Sequence, residues 1–160
     1  MIKRNIIVVD TETSGGSEEL GCEVIQIAAK AINYWDFSDH HAGTFQTYIR
    51  PSRPEKAQSG ALKILGDGWQ KALDLGVEPK VAWRQYYDWC QSVNDGKKVT
   101  TKPIAVAYNK DFDQKFIQYH FREYNIVDQN DFGYDWPWSF FFDAMGVAYM
   151  LFESDSNIND

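Results

Sequence analysis

Two carboxylates near the beginning of the chain are separated by a single residue. Asp10 and Glu12 come directly after residues 5–9, a β-branched apolar run that is typical of a buried strand. If the chain stays extended there, the two side chains point to the same side. Carboxylates held together at the edge of a sheet repel unless a cation lies between them, and Mg²⁺ prefers such oxygen ligands. The pair therefore allows a cation site, although a lone Asp-x-Glu is more often a turn-capping aspartate beside a solvated glutamate.

A second acidic segment strengthens the metal-site hypothesis. Residues 104–108 form another short apolar strand, and Asp111 and Asp113 follow it where a helix begins. One of these acids can cap that helix, and the other can join the first pair at a cation. A third acid, Asp143, lies where the last predicted strand gives way to a helix, and there an N-cap is the favoured interpretation.

The elements that must position these acids alternate between strands and helices. Alternating apolar residues predict three strands in hairpin succession, and two further strands follow later in the chain. Helical spacing of apolar residues predicts the helices. The predicted strands cover residues 5–9, 24–34, 45–49, 104–108 and 138–142, with a hairpin loop at 36–43. The predicted helices cover residues 61–65, 83–93 and 112–124, and a last helix carries Met145, Ala148, Tyr149 and Phe152.

The order of these elements is β-β-β-α-α-β-α-β-α. This order predicts an α/β domain in which helices flank a mixed five-stranded sheet whose first three strands are antiparallel. The length of 160 residues fits a single domain. His120 lies on the apolar face of its helix, so we predict a core position for it.

Charge is distributed unevenly along the chain. All 16 lysines and arginines lie in residues 1–122 together with 15 acids, whereas residues 123–160 hold 8 acids and no lysine or arginine. Contacts with a polyanion are therefore expected in the first part of the chain. The alternative is a set of solvated lysines beside an acidic, solvated tail region. The candidate phosphate contacts are Lys97, Lys98, Lys102, Lys110 and Lys115.

The composition excludes several classes of protein. A formal net charge of −7 offers no polybasic tail or anionic-membrane anchor. No apolar run reaches the ~18 residues that a membrane span needs. Cys22 and Cys90 have no CxxC spacing, so they predict neither a disulfide framework nor a zinc site. We therefore expect a cytoplasmic protein without a membrane partner.

Two motifs resemble those of a known family. Asp10-Thr-Glu-Thr-Ser-Gly15 is similar to the first motif of the DEDD superfamily of 3′–5′ exonucleases, which includes proofreading exonucleases and RNase T. Residues 109–113, Asn-Lys-Asp-Phe-Asp, resemble its second motif, Asn-x-x-Phe-Asp, and the alignment selects Asp113 over Asp111. The resemblance runs over nearly the whole chain. It implies an RNase H-like fold for residues 1–152, with 153–160 as a disordered tail or a truncation point.

The resemblance also implies an activity. Members of this family hydrolyse terminal phosphodiesters of single-stranded DNA or RNA from the 3′ end, so two Mg²⁺ or Mn²⁺ ions are expected at Asp10, Glu12 and Asp113. Two cations ~3.5–4 Å apart can activate a water and stabilise the leaving oxygen. A polymerase or another replication protein is the expected partner. The residues implied beside the substrate are Thr11, Thr13, Gly15, Asn109, Lys110 and Phe112. Of these, Asn109 and Phe112 are expected to support and pack the site rather than to ligate a cation.

The chain departs from the family pattern in two places. Leu65 stands where the family usually has a histidine in an Ile-His-Gly segment. The third motif, which carries the fourth carboxylate and a Tyr or His that activates the water, is missing from its usual place. Tyr149, Glu153 and Asp155 are poor substitutes because they lie too near the last strand. The chain is therefore expected to bind one cation better than two and to hydrolyse nucleic acid slowly or not at all.

Three hypotheses follow from this pattern. The first is a metal-dependent 3′–5′ exonuclease. The second is a related nuclease whose last carboxylate lies in a missing or separate segment. The third is a catalytically impaired member of the same fold that binds nucleic acid or a polymerase.

Overall fold

The computed structural model describes residues 4–128 and 135–145. Five strands and four α-helices are defined in these ranges, together with three short 3-10 helices at Glu18–Leu20, Pro54–Lys56 and Val99–Thr101. The strands are β1 Ile6–Thr13, β2 Val24–Ile32, β3 Asp39–Tyr48, β4 Ile104–Ala107 and β5 Phe140–Asp143. The helices are α1 Ser59–Leu65, α2 Asp67–Leu75, α3 Pro79–Ser92 and α4 Lys110–Glu123.

The five strands form one mixed sheet in the order β3-β2-β1-β4-β5. The hairpin-connected strands β1, β2 and β3 are antiparallel, whereas β4 runs parallel to β1 and β5 runs parallel to β4. This topology confirms the predicted mixed sheet. It also brings the carboxyl ends of β1, β4 and β5 to the same edge, where the motif residues lie.

The two faces of the sheet differ in what covers them. Alternate residues of β1, such as Ile7 and Val9, are buried on the face where the aromatic core lies. The largest side chains of that core come from α3 and α4 and include Trp83, Tyr86, Phe116 and Phe121. The opposite face carries exposed apolar side chains at β1 and β5, namely Val8, Phe140 and Phe142.

Several elements differ from those predicted, and among them the second strand ends at Ile32 and the last begins at Phe140. The first strand continues through the motif to Thr13, so Asp10 and Glu12 lie within it. The third strand begins at Asp39, inside the predicted hairpin loop. Helix α2 was not predicted, because Gly66-Asp67-Gly68 suggested a stop. Gly66 has φ 51° and ψ −124°, a conformation that glycine adopts readily, and it separates two short helices.

His120 is buried in the core, which confirms its predicted position. Its Nε2 accepts a hydrogen bond from the backbone N of Val24 at 3.2 Å, and its Nδ1 lies 3.0 Å from Oε2 of Glu123. Both ring nitrogens are therefore engaged in structural contacts, one with β2 and one within α4.

Some predicted features lie outside the described residues. These are the bulk of the last predicted helix and the substitute residues of the third motif, Tyr149, Glu153 and Asp155. The proposed domain limits at residues 152 and 153 also lie there. Within residues 4–128 and 135–145, no helix has both the length and the apolar character that crossing a bilayer requires.

Candidate functional site

Asp10 and Glu12 project from the same face of β1. Both residues are exposed, while Thr11 between them and Thr13 after them are buried. This alternation agrees with the expectation that the two carboxylates point to one side. Their partners on β2 are Ala28 and Gln26, so no cation from the neighbouring strand stands directly opposite either acid.

Asp113 lies in the first turn of α4 and is only 3% exposed. Its Oδ1 accepts two hydrogen bonds from Thr11, one from the backbone N at 2.9 Å and one from Oγ1 at 2.7 Å. Thr11 thus attaches the start of α4 to the strand segment that carries the other two acids. Asp111 is different, because its side chain is 80% exposed and pairs with Lys110.

The three carboxylates influence one another electrostatically. The pKa of Asp113 is raised to about 6. Burial is the largest cause and the charge of Asp10 adds to it, whereas the hydrogen bonds from Thr11 lower the pKa. Desolvation also raises the pKa of Glu12, with a further contribution from Asp10. The charge of Asp10 therefore acts on both other acids. A bound divalent cation would offset the cost of keeping these acids ionised, because it favours the charged form of each ligand.

The three acids do not form the tightest candidate ligand cluster of the described residues. Among the described residues, that cluster consists of His40, His41 and Asp95. Their ligand atoms all lie within 4.8 Å of one another. The carboxylates at the end of β1 and the start of α4 are more widely spaced. Oxygen donors of this kind suit Mg²⁺ or Mn²⁺, which keep several waters when they bind.

The beginning of α4 is attached to the adjacent strand β5. Asn109, the residue before the helix, has a left-handed conformation with φ 59°. Its backbone N donates to Oδ1 of Asp143 at 3.1 Å, and the same oxygen accepts from the backbone N of Met145 at 2.9 Å. The second contact confirms the predicted capping role of Asp143. The first contact was not predicted and holds the second motif against the end of β5.

The turn that follows β1 is closely packed. A side-chain carbon at Gly15 would lie 2.4 Å from Sγ of Cys22 and 2.7 Å from Cδ of Gln58, so any larger residue there would require these side chains to move. Thr13 Oγ1 donates to the Gly15 carbonyl at 2.8 Å. The backbone N of Gly16 donates to Oε1 of Gln58 at 3.1 Å. These contacts hold the turn beside the carboxylates.

A pocket of about 330 Å³ opens beside this turn. Its wall includes five residues of the two motifs, and the remaining lining residues are Gly16 in the turn and residues of α1 and the segment before it. The motif residues are Thr11, Glu12, Thr13, Gly15 and Phe112, and the others include Gly16, Gln58, Ala61, Ile64 and Leu65. The predicted substrate residues Asn109 and Lys110 do not line this pocket.

The role of Gln58 and Ile64 was missed by the sequence analysis. Residues 61–66 occupy the place of the Ile-His-Gly segment in the family that the sequence resembles, and this match could have indicated that the helix approaches the site. Leu65, at the usual position of the histidine, does line the pocket. For Gln58 no pattern in the sequence indicated a role, because its contact with Gly16 depends on tertiary structure.

The lysines are not gathered at the site as expected. Lys102 is only 5% exposed, so its predicted contact with phosphate is wrong. Lys97 and Lys98 are exposed, but they precede β4. Because β4 runs parallel to β1, they lie toward the amino ends of these strands, away from the carboxylates at the carboxyl end of β1. Lys115 pairs with Glu18 at 3.3 Å. Lys110 remains at the start of α4, paired with its neighbour Asp111.

No protein-family model matches the sequence, and no characterised protein matches it by sequence. The similarity that exists is one of structure. A product-bound structure of exonuclease I superimposes with a TM-score of 0.71 at 19% identity, covering 94% of this chain and 32% of that one.

Two further structures of exonuclease I give the same result. The Escherichia coli enzyme in complex with the oligonucleotide 5cy-dA13 has a TM-score of 0.74 at 20% identity over 93% of this chain and 30% of the other. A complex of exonuclease I with SSB-Ct has a TM-score of 0.73 at 20% identity over 94% and 30%. The chain thus spans about a third of the length of these exonucleases. At this level of identity the comparison establishes the fold, which is the RNase H-like exonuclease fold.

Proposed function

We propose that this chain is a metal-dependent 3′–5′ exonuclease domain that acts on single-stranded nucleic acid. The observation that supports the proposal is the pair of hydrogen bonds from Thr11 to Asp113, which attaches a buried carboxylate to the residue between Asp10 and Glu12. The raised pKa values of Asp113 and Glu12 support it: burial is the larger cause and the charge of Asp10 adds to it, and a bound divalent cation would offset both effects.

Asp10, Glu12 and Asp113 are the residues that would hold the cations. A pair of bound Mg²⁺ or Mn²⁺ ions would activate water and stabilise the leaving oxygen of the terminal phosphodiester. The chain itself provides the ligand charges and keeps them in place. Thr11 fixes Asp113, and the strand geometry of β1 keeps Asp10 and Glu12 on one side.

The pocket beside Gly15 is the proposed site of the terminal nucleotide. Its lining combines the Phe112 ring, on which a base can stack, with the threonines of the first motif. Ile64 and Leu65 provide the apolar part of the wall. Gly16, which also lines the pocket, is exposed and has nothing within 4 Å of its Cβ position, so a sugar or phosphate can approach the backbone there.

Single-stranded DNA is the first substrate to test, since complexes of E. coli exonuclease I with single-stranded DNA are among the similar structures. RNA is tested in parallel, because discrimination by the 2′-hydroxyl depends on the shape of the pocket. The SSB C-terminal peptide, named in one exonuclease I complex, is a reasonable replication-protein partner to test.

The experiment incubates the purified 160-residue chain with 5′-labelled single strands in Mg²⁺, Mn²⁺ or EDTA. We expect shortening from the 3′ end that requires the metal and is slower than ~1 s⁻¹. Asp10→Asn and Asp113→Asn should reduce the rate by about 10²-fold or more, because each removes a ligand charge. Asp111→Asn is the matched control, since this exposed acid belongs to the same segment and should keep the wild-type rate.

Two results would contradict the proposal. One is degradation that continues in EDTA. The other is an equal loss in Asp111→Asn and Asp113→Asn. Metal-dependent binding of the strand without any cleavage would instead support the catalytically impaired alternative.

A further inference from the structure

A second cluster of ligand-type side chains lies on a bulge in β3. The register passes from Lys30 opposite Thr44 to Ile32 opposite Asp39, so a single residue of β2 faces four residues of β3. A bulge interrupts the alternation of side chains along a strand. The adjacent residues His40 and His41 consequently lie together, with ring centroids 4.0 Å apart.

Asp95, which follows α3, completes the cluster. Its Oδ1 lies 3.1 Å from Nε2 of His40, and its Oδ2 accepts a hydrogen bond from Nδ2 of Asn5 at 2.9 Å. The ligand atoms of the two histidines and the aspartate all lie within 4.8 Å of one another. His40 is 3% exposed, whereas His41 and Asp95 are exposed, so the cluster is anchored on one side and open on the other.

We propose that His40, His41 and Asp95 form a binding site for a borderline transition-metal cation of the Zn²⁺ class. Two imidazoles and one carboxylate are a usual ligand set for Zn²⁺, with a fourth position left to water. Mg²⁺ and Ca²⁺ prefer all-oxygen ligands, so this site differs in chemistry from the acids at the other end of β1. Asn5, which contacts Asp95, directly precedes β1, and Asp10 lies five residues further along it. Five residues of extended chain span about 17 Å.

The surroundings provide two further requirements of a metal site, an oriented ligand and an entry path. Asn5 holds the Asp95 carboxylate, and such an outer contact fixes the ligand's direction. Asp95 also lines a cavity of about 520 Å³. The acid Asp36 lines the same cavity and adds negative charge that attracts a cation.

Binding requires a tautomer change at His40. The backbone N of Ala42 donates to its Nδ1 at 3.1 Å, so the ring proton is on Nε2 and points to Asp95. The cation takes the place of that proton, the proton moves to Nδ1, and the ring stays neutral. The bond from Ala42 is then lost. Ala42 lies in the bulge, outside the paired register of β3, so this segment can adjust without breaking the sheet.

The test is a calorimetric titration of Zn²⁺ into the full chain. The titration is done with wild type and with Asp10→Asn, the latter to weaken binding at the acids of β1 and α4. We expect one Zn²⁺ per chain in that background, and His41→Ala and Asp95→Asn should weaken binding by about 10-fold or more. Asp36→Asn is the control, because it changes the charge of the cavity without removing a ligand, and it should change the affinity by less than about 3-fold.

His41 is exposed, so its removal should leave the fold intact, and circular dichroism checks this. If His41→Ala does unfold, His41→Gln replaces it in the same titration. The Co²⁺ form provides a second measurement, since its visible spectrum reports tetrahedral coordination and should be lost in the His41 variant. Equal Zn²⁺ affinity in the Asp10→Asn background with and without His41 would overturn the proposal, and so would a failure of that background to bind Zn²⁺.

Discussion

Thr11 donates two hydrogen bonds to a single oxygen of Asp113, from its backbone N at 2.9 Å and its Oγ1 at 2.7 Å. The two residues come from motifs about a hundred positions apart, and both are buried. A carboxylate oxygen that accepts two hydrogen bonds is held in a fixed orientation. Thr11 therefore acts as a positioning residue for the buried acid.

Replacing Thr11 with valine should show what its hydroxyl contributes. Thr11→Val keeps the shape and the backbone bond but removes the Oγ1 donor, so we expect the pKa of Asp113 to rise above its present value. Stability should fall by about 1.5–3 kcal/mol at neutral pH, as for a lost hydrogen bond to a charged group. Denaturant unfolding in EDTA measures this. Thr47→Val, on β3 and away from the acids, is the control and should lose less.

Asp113 should make stability depend on pH. Its folded-state pKa of about 6 lies above the ordinary value of 3.8, so the folded chain holds a proton that the unfolded chain has already released between about pH 4 and 6. The stabilisation from this group is present below pH 4 and is lost as the pH rises through 6. In EDTA, Asp113→Asn should therefore be more stable than wild type at pH 8, by on the order of 1 kcal/mol, and not at pH 4.

Urea unfolding at the two pH values, with and without Mn²⁺, separates the effect of Asp113 protonation on stability from the effect of cation binding. Saturating Mn²⁺ should stabilise wild type more than Asp113→Asn, because a cation that binds only the folded form adds its binding free energy. A wild type that gains stability between pH 4 and 6 in EDTA relative to Asp113→Asn would contradict the assignment.

Local patterns in the sequence were enough to predict the strands of the site. The β-branched run before Asp10 and the period of two along a strand placed Asp10 and Glu12 on one side, as observed. Helix α2 was missed because two glycines close together resemble a stop, whereas Gly66 only separates two helices. The sequence did not indicate whether the chain after Gly66 would return to a helix.

Features that depend on pairing between distant segments were not predictable. The β3 bulge that brings His40 and His41 together exists only in the register with β2. The contact of Gln58 with Gly16 and the burial of Lys102 likewise depend on how the loops pack on the sheet. The residue types involved contain little information on such contacts, because glutamine and lysine side chains are usually solvated.

Gly15 and Gly16 provide a matched pair of substitutions. An alanine at Gly15 would bring its Cβ to 2.4 Å from Sγ of Cys22, whereas nothing lies within 4 Å of the corresponding position at Gly16. Gly15→Ala should therefore cost about 1–3 kcal/mol of stability, and Gly16→Ala should be close to neutral. Thermal unfolding of the two variants checks this. Equal melting temperatures would mean that the turn is not packed as described.

The coupling of Asp10 to the other acids can be measured directly. Asp10→Asn removes the charge that raises the pKa of Glu12 and contributes to the raised pKa of Asp113, so both values should fall in the metal-free protein. The larger cause, burial, stays in place in both cases, and each pKa should therefore remain above its ordinary value. Carboxyl ¹³C shifts followed by NMR titration in EDTA give both values.

The control for this titration is Asp111→Asn, an exposed acid in the second motif that pairs with Lys110. It should leave both pKa values as they are, since it does not contribute to either increase. The same Asp10→Asn protein should bind Mn²⁺ more weakly than wild type, because fewer ligand charges remain even though the remaining acids ionise more easily. Unchanged pKa values in Asp10→Asn would show that the three carboxylates are too far apart to share a cation.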